Sequence, residues 1–387
     1  MEINKLNSIQ QFFTLIGCDF QCYDIGRNIR PLDKQKLAEF EQTQLPCPTP
    51  FLQHTWLAIL FWPVNSAGNT DNQHSPAAHF VWFIKLPLDE QARLNLAARD
   101  DFLKRLYDAL NQYLLAIKNS DKSQLHTLES AMKDNPYGFQ PKQEQMTNFH
   151  ALAQKHLRLP PSHYYEPAQA WFAGDNQFSH WEELGFQGLA DFATRLDESY
   201  PQGTAESTAP LSNEQLLIDA LAQMPVPPFL ALSHCLENHP ISATLSQAIY
   251  QRAEYELTHN TDPQSLASFC AAAIRATSQS QSAHQPARFI LQILESPAGR
   301  DIEVLAAVSG RCWQSLKQYE VLILWLEVLV KTEHGQGAFN AILADLMFIP
   351  GMREPVLQAF RSPERSGQLS QAIGAFFSSL KQTEGHL

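Results

Sequence analysis

The chain has 387 residues, with 28 Lys and Arg against 40 Asp and Glu, giving a formal net charge of −12 at pH 7. Only 18% of it is charged, against about 25% for an ordinary soluble domain, and uncharged polar groups, 35 glutamines among them, fill the difference. At 44% hydrophobic with 23 Phe and 7 Trp it is neither disordered nor collagenous, it is long enough for about two or three domains, and its acidity disfavours nucleic acid, whose phosphates require a basic face.

Residues Ile3, Leu6, Ile9, Phe13 and Ile16 space out as one face of an amphipathic helix that Gly17 ends. Glu2, Asn4, Gln10 and Gln11 interrupt the apolar stretch that an export signal needs, and the cytoplasm is the expected compartment. Strand-like residues follow at Asp19–Ile25, and Asp33 behind Pro31 caps a second helix that Leu45-Pro46-Cys47-Pro48 stops. Thr55–Trp62 and His79–Leu86 are rich in aromatic and β-branched residues and predict strands. The first is apolar on both faces, so it should lie centrally and be covered on both sides. The polar stretch Pro63–Ala78 between them predicts a long loop. Asp89 is the expected cap of a helix with the stripe Phe102, Leu103, Leu106, Leu110, Tyr113, Leu114 and Ile117.

These elements predict a small α+β domain with an antiparallel sheet over residues 1–120. Residues 121–200 read as a helical connector, its clearest stripe Trp181, Leu184, Leu189, Phe192 and Leu196. Pro, Gly, Ser and Thr gather at Tyr200–Ser212, which predicts a linker.

From 211 to 387 no strand is expected. Asp262-Pro263, Ser296-Pro297 and Ser362-Pro363-Glu364 each read as a cap with Pro at the first helical position. Ten helices follow, near 213–223, 228–238, 242–258, 264–277, 286–294, 301–316, 319–333, 337–348, 353–361 and 366–381. The longest apolar run, Val321–Val330, holds Glu327 and is too short for the about 20 residues of a membrane span. The fold class expected is mainly α: the small N-terminal α+β domain, then an α-helical domain built as a HEAT-like solenoid or as a compact bundle.

The most pointed polar stretch is Tyr23–Arg30. Gly26 beside Asp24 permits a tight turn, and Arg27 and Arg30 could present planar forks to a carboxylate or phosphate, making a small-anion site of Asp24, Arg27 and Arg30. The structural alternative is that Asp24 pairs with an arginine and holds the loop shut. Cys18, Cys22 and Cys47 read as core thiols, and His150, His156 and His163 as surface or capping groups, since their spacings of six and seven residues make no ligand pair. The pairs Asp100/Asp101, Glu182/Glu183 and Asp197/Glu198 read as solvated faces. The aromatic group Tyr164, Tyr165, Trp171, Phe172, Phe178 and Trp181 reads as a satellite core. No Walker or dinucleotide fingerprint occurs, so no cofactor and no metal is expected.

Through Tyr23–Arg30, the strands Thr55–Trp62 and His79–Leu86, and the helix expected from Asp89, the chain resembles an uncharacterised family of proteins from marine and other gammaproteobacteria with no assigned activity. The resemblance implies a bacterial cytoplasmic origin and supplies no catalytic residues. The C-terminal half separately resembles HEAT-type helical repeat proteins, a likeness of architecture that does not fix function.

The function expected is therefore a non-enzymatic interaction protein or adaptor with a protein partner, residues 213–387 offering a weakly charged surface. The alternative is an enzyme or small-anion sensor built on Asp24, Arg27 and Arg30. Net charge is −6 on each side of Tyr200, but the C-terminal side carries fewer charges of either sign.

Overall fold

The computed structural model describes residues 6–64, 79–118, 135–200, 210–282 and 285–384. It is mainly α-helical, with sixteen α-helices and one four-stranded antiparallel sheet among the described residues. Two compact units are present. The first comprises Met1–Lys142 with His156–Leu159 and Phe348–Pro350, and the second Gln143–Lys155, Pro160–Met347 and Gly351–Leu387.

In the first unit, helix α1 (Ile9–Leu15) starts at Ser8, whose hydroxyl accepts from the Gln11 N–H, and Gly17 ends it in the left-handed region at φ 69°. Strands β1 (Cys18–Asp24), β2 (Arg30–Leu32), β3 (His54–Pro63) and β4 (Phe80–Pro87) form a sheet in the order β2-β1-β3-β4. Helix α2 (Lys34–Glu41) is capped by Asp33, as its sequence predicts. Leu57, Ile59 and Phe61 of β3 join Phe12, Phe13, Phe20, Trp82 and Ile84 in one core. Ala58 and Leu60, on the other face of β3, are equally buried, and the His156 ring lies against Tyr23 and Trp62 on that side. The two-sided apolar pattern of β3 thus reports a strand covered on both faces.

Two details of this unit depart from expectation. Helix α3 (Leu96–Lys118) begins seven residues after Asp89. The Asp89 carboxylate instead accepts from the Gln91 and Arg93 N–H groups and closes a turn, and Asn95 caps the helix through the Ala98 N–H. Phe102, Leu103, Leu106 and Leu110 are buried as the stripe predicts, while the side chains of Tyr113, Leu114 and Ile117, like residues 65–78 of the expected loop, lie outside the described residues. The chain also reaches β3 through a two-residue hairpin whose central residues, Leu52 and Gln53, both sit at positive φ (49° and 60°).

The second unit is mainly helical among the described residues. It contains α4 (Gln143–His156, its last residue apart), α5 (Tyr165–Phe172) and α6 (Gly185–Thr194), then α7 (Asn213–Ala220), α8 (Val226–Leu236), α9 (Ala243–His259) and α10 (Pro263–Ala276). These are followed by α11 (Gln285–Glu295), α12 (Ile302–Arg311), α13 (Tyr319–Leu329), α14 (Gly335–Phe348), α15 (Arg353–Phe360) and α16 (Gly367–Glu384). All ten helices expected after residue 211 are present, with ends shifted by a few residues.

Helices α6, α8, α10 and α12 pack side by side in one layer, and α5, α7 and α9 in another that α11, α13 and α15 extend. Ring contacts tie neighbours within a layer: Phe229 of α8 stacks on Phe269 of α10 at 4.7 Å, and Tyr250 of α9 lies tilted by Phe289 of α11 at 4.4 Å. Helix α10 is the most enclosed, with Ala271, Ala272, Ala273 and Ile274 all at 0% exposure. Its run of methyl side chains lets backbones on either side come close.

Asp262 with Pro263 starts α10 as expected, accepting from the Gln264 and Ser265 N–H groups. The other two caps differ. Ser296-Pro297 opens a short 3-10 turn, Pro297–Arg300, and Asp301 caps α12. At Ser362-Pro363 no helix begins, because the Arg365 guanidinium folds back onto the Phe360 and Ser362 carbonyls, and Ser366 caps α16 through the Leu369 N–H. Of the expected linker Tyr200–Ser212, residues 201–209 lie outside the described residues; on either side of them Ser199 bridges Ser212 and the Asn213 N–H donates to the Glu198 carbonyl.

Candidate functional site

Asp24, Arg27 and Arg30 are brought together at the end of β1. Asp24 and Arg30 are direct cross-strand partners, and the intervening loop carries Arg27. The Asp24 side chain is 3% exposed, and its carboxylate accepts from the Gly26 N–H at 2.9 Å and from the Thr49 hydroxyl. Burial pushes its pKa up to about 6, against the pull of those two donors and of the Arg30 and Arg27 charges.

Arg27 points inward: it is 2% exposed, donates from Nε to the Pro50 carbonyl at 2.9 Å, and lies 5.7 Å from the Phe51 ring centre. Gly26 is required by close approach, since a Cβ there would stand 3.2 Å from the Thr49 carbonyl and 3.3 Å from Phe51 Cβ. The turn is therefore a clamp between the 24–30 and 47–51 segments. Thr49, which supplies one of its donors, has no sequence signal.

A second polar centre lies in the helical unit, built by α6 and its neighbours. Asp191 (0% exposed) precedes Arg195 (2%) by one helical turn, and Arg195 Nη1 donates to Asp191 Oδ1 at 3.1 Å. The other carboxylate oxygen accepts from the Ser162 hydroxyl at 2.5 Å, the Ser162 N–H at 3.2 Å and the Gln187 amide at 3.3 Å. Arg195 Nε reaches Glu198 at 3.4 Å, and its guanidinium lies over the Tyr165 ring. The Tyr165 hydroxyl donates to Glu198 and accepts from the Asn213 amide, which also donates to the Arg195 carbonyl at 2.7 Å; Gln169 completes the chain by donating to Asn213 Oδ1.

This is a charge pair nearly saturated with hydrogen bonds, the condition under which a buried pair can persist. In it the Ser162 hydroxyl donates to the same carboxylate that Arg195 pairs with. The Asp–Arg spacing of four was readable in sequence; Ser162, Tyr165 and Asn213, which arrive from other elements, were not. Glu198, expected on a solvated face, is a member of this centre. Tyr165, Trp171 and Phe172 are buried as a satellite core predicts, whereas Tyr164 is exposed.

Helix α4 runs across the ends of two layer helices. Asn148 Nδ2 donates to the His234 carbonyl in the last turn of α8 at 3.0 Å, and Lys155 Nζ to the Thr194 carbonyl ending α6 at 2.9 Å, with an ion pair to Asp197. Seven residues of helix cover about 10.5 Å, close to the 8–10 Å between packed neighbours, so one face of α4 meets the C-terminal carbonyls of both helices. Beside it, His239 is buried with Nε2 3.2 Å from the Thr194 hydroxyl, which itself donates to the Ala190 carbonyl, so the imidazole is the donor. Burial pushes its pKa down to about 4.

Further along the stack, Glu237 and Arg311 pair at 2.7 Å across 74 residues of sequence, and Arg275 meets Glu303 at 3.0 Å. All six cysteines are free, five of them buried. Among the described residues no group of three or more His, Cys, Asp or Glu is placed to hold a metal ion, and no helix is long and apolar enough to cross a membrane.

No curated protein and no solved structure matches the chain. A family model described as "Protein of unknown function (DUF3549)" matches residues 4–377, so the chain belongs to that uncharacterised family.

Proposed function

We propose that the chain is a non-enzymatic docking protein of the bacterial cytoplasm, in which the stacked helices from Tyr165 onward receive a protein partner and the sheet-bearing unit adds a second contact. The observation that carries this reading is the side-by-side packing of alternate helices in two layers. Arrays built this way resemble helical solenoids and display long surfaces from successive helices. Low charge in the same stretch suits it, because interface centres are depleted in charged groups. On this reading the polar centres are internal wiring. Asp24 with Arg27, and Asp191 with Arg195, hold loops and helix ends in place and leave the outer faces free for recognition.

The test is recovery of a tagged copy at native expression, with mild cross-linking and mass spectrometry. A stoichiometric protein cross-linked to the helical unit is expected. Recovery of the chain with no other protein would overturn the reading.

A further inference from the structure

The clamp around Asp24 leaves one of its own residues unexplained. Asn28 is 4% exposed, and neither its amide nitrogen nor its amide oxygen, both closed to solvent, has a hydrogen-bond partner among the described residues. Buried side-chain polar atoms nearly always have one. Two unmatched atoms on one side chain, a donor and an acceptor side by side, therefore specify what would pair with them.

The rest of the loop narrows the choice. Asp24 and Arg30 are cross-strand partners, so Ile25–Ile29 form a five-residue connection, and two residues of chain reach no further than about 7 Å. The backbones of Arg27 and Arg30 thus stay close to that of Asn28. This loop carries two guanidinium groups against one carboxylate, a formal balance of +1. The carboxylate is Asp24, which already accepts from the Gly26 N–H and the Thr49 hydroxyl. Asp24 and Arg27 are as buried as Asn28, so water screens this balance poorly.

We propose that the 24–30 loop encloses a small planar oxyanion that keeps one acid O–H, of the bicarbonate type, paired with the Asn28 amide. Asn28 Nδ2 donates to one oxygen of the anion, and the anion's O–H donates to Asn28 Oδ1. This cyclic pair satisfies both atoms at once, and the neighbouring guanidinium groups balance the charge. Chloride and nitrate carry the charge but have no proton to give; water has the proton but no charge. Because the amide is closed to solvent, the anion enters only when the loop opens, and once bound it holds the loop shut. The inference does not depend on a protein partner docking on the helices.

Hydrogen exchange of the Gly26–Arg30 amides in the full chain tests it, comparing bicarbonate-free buffer with bicarbonate, chloride or nitrate at matched pH and ionic strength. For millimolar affinity, about 50 mM bicarbonate should raise protection about 50-fold, with no such rise in chloride or nitrate. Asn28→Leu removes both unmatched atoms; its loop should be protected at least as well as wild type without bicarbonate and should lose the response. Arg30→Gln, at a half-buried position, should cut the response at least about tenfold. Wild-type protection unmoved by bicarbonate would mean that Asn28 meets an internal water only, and overturns the proposal. An equal rise in chloride or nitrate overturns it too, as does a bicarbonate response that survives either substitution.

Discussion

Glu41 is a buried carboxyl whose charge works against the fold, and replacing it by Gln tests this with a sign that depends on pH. The residue is 4% exposed; Oε1 accepts from the Ile9 N–H at the start of α1, and Oε2 has no partner. Burial pushes its pKa from 4.5 to about 7, outweighing the Ile9 N–H and the Arg99 charge. Because the folded value lies above the unfolded one, the folded state holds the proton longer. This contribution is fully present below pH 4.5 and is lost as pH rises through 7. Between pH 5 and pH 8 the loss is about 2.5 kcal/mol, roughly a 70-fold change in the opening equilibrium.

The side-chain amide introduced by Glu41→Gln keeps an acceptor for the Ile9 N–H but cannot ionise. Hydrogen exchange of the α1 amides, comparing wild type with Glu41→Gln at matched pH, cancels both intrinsic exchange and the shared contribution of Asp24. The wild-type-to-variant ratio of protection is expected to fall about 70-fold from pH 5 to pH 8. An equal ratio at both pH values would show that Glu41 titrates normally and that the burial argument is wrong. A whole-chain melt is a poorer assay, because neutral His239 contributes in the opposite sense, gaining stability as pH rises from about 4 to 6.5.

Three further outcomes are expected. Arg195→Met strands the Asp191 carboxylate and should cost about 3–5 kcal/mol in urea denaturation, while adding Asp191→Leu should recover most of it; a double variant no more stable than the single contradicts this. Replacing Leu52-Gln53 by Asn-Gly should stabilise the first unit by about 1–2 kcal/mol, because both positions hold positive φ that L side chains resist. In thermal denaturation, an unchanged or lower midpoint for that variant refutes the strain. Gly299→Ala would place a Cβ 2.6 Å from Leu294 Cα and 2.7 Å from the Ile293 carbonyl, and should lower stability by about 2–3 kcal/mol; a neutral melt would mean the 3-10 turn can move.

What the sequence disclosed was whatever depends on neighbours along the chain. The two-sided apolar run of β3, the caps Asp33 and Asp262, and the ten helices after residue 211 all follow from sequence pattern and backbone chemistry within about one turn. The misjudged starts fail for one reason. Asp89, Ser296 and Ser362 have good capping chemistry, but the actual cap stands four to six residues later, and local propensity does not choose between two adjacent candidates. The polar centres were legible only in part. Asp24, Arg27 and Arg30 come from one short loop and could be grouped by eye, yet the inward direction of Arg27 is set by Pro50 and Phe51, more than twenty residues away. The Asp191 centre draws on residues 162 to 213, and Glu198 belongs to it only because Tyr165 and Arg195 meet there.

The enclosure of α10 bears on how the helical unit can come apart. A helix whose residues 269–274 are all buried, with a seam of alanines among them, cannot serve as the end of an array, since removing either neighbour uncovers bare backbone and apolar surface together. The unit should therefore not divide near residue 270 into two soluble fragments. Repeat arrays often melt from their ends inward, one module at a time; with its least separable member near the middle, this one is expected to lose α7 through α13 in a single cooperative step.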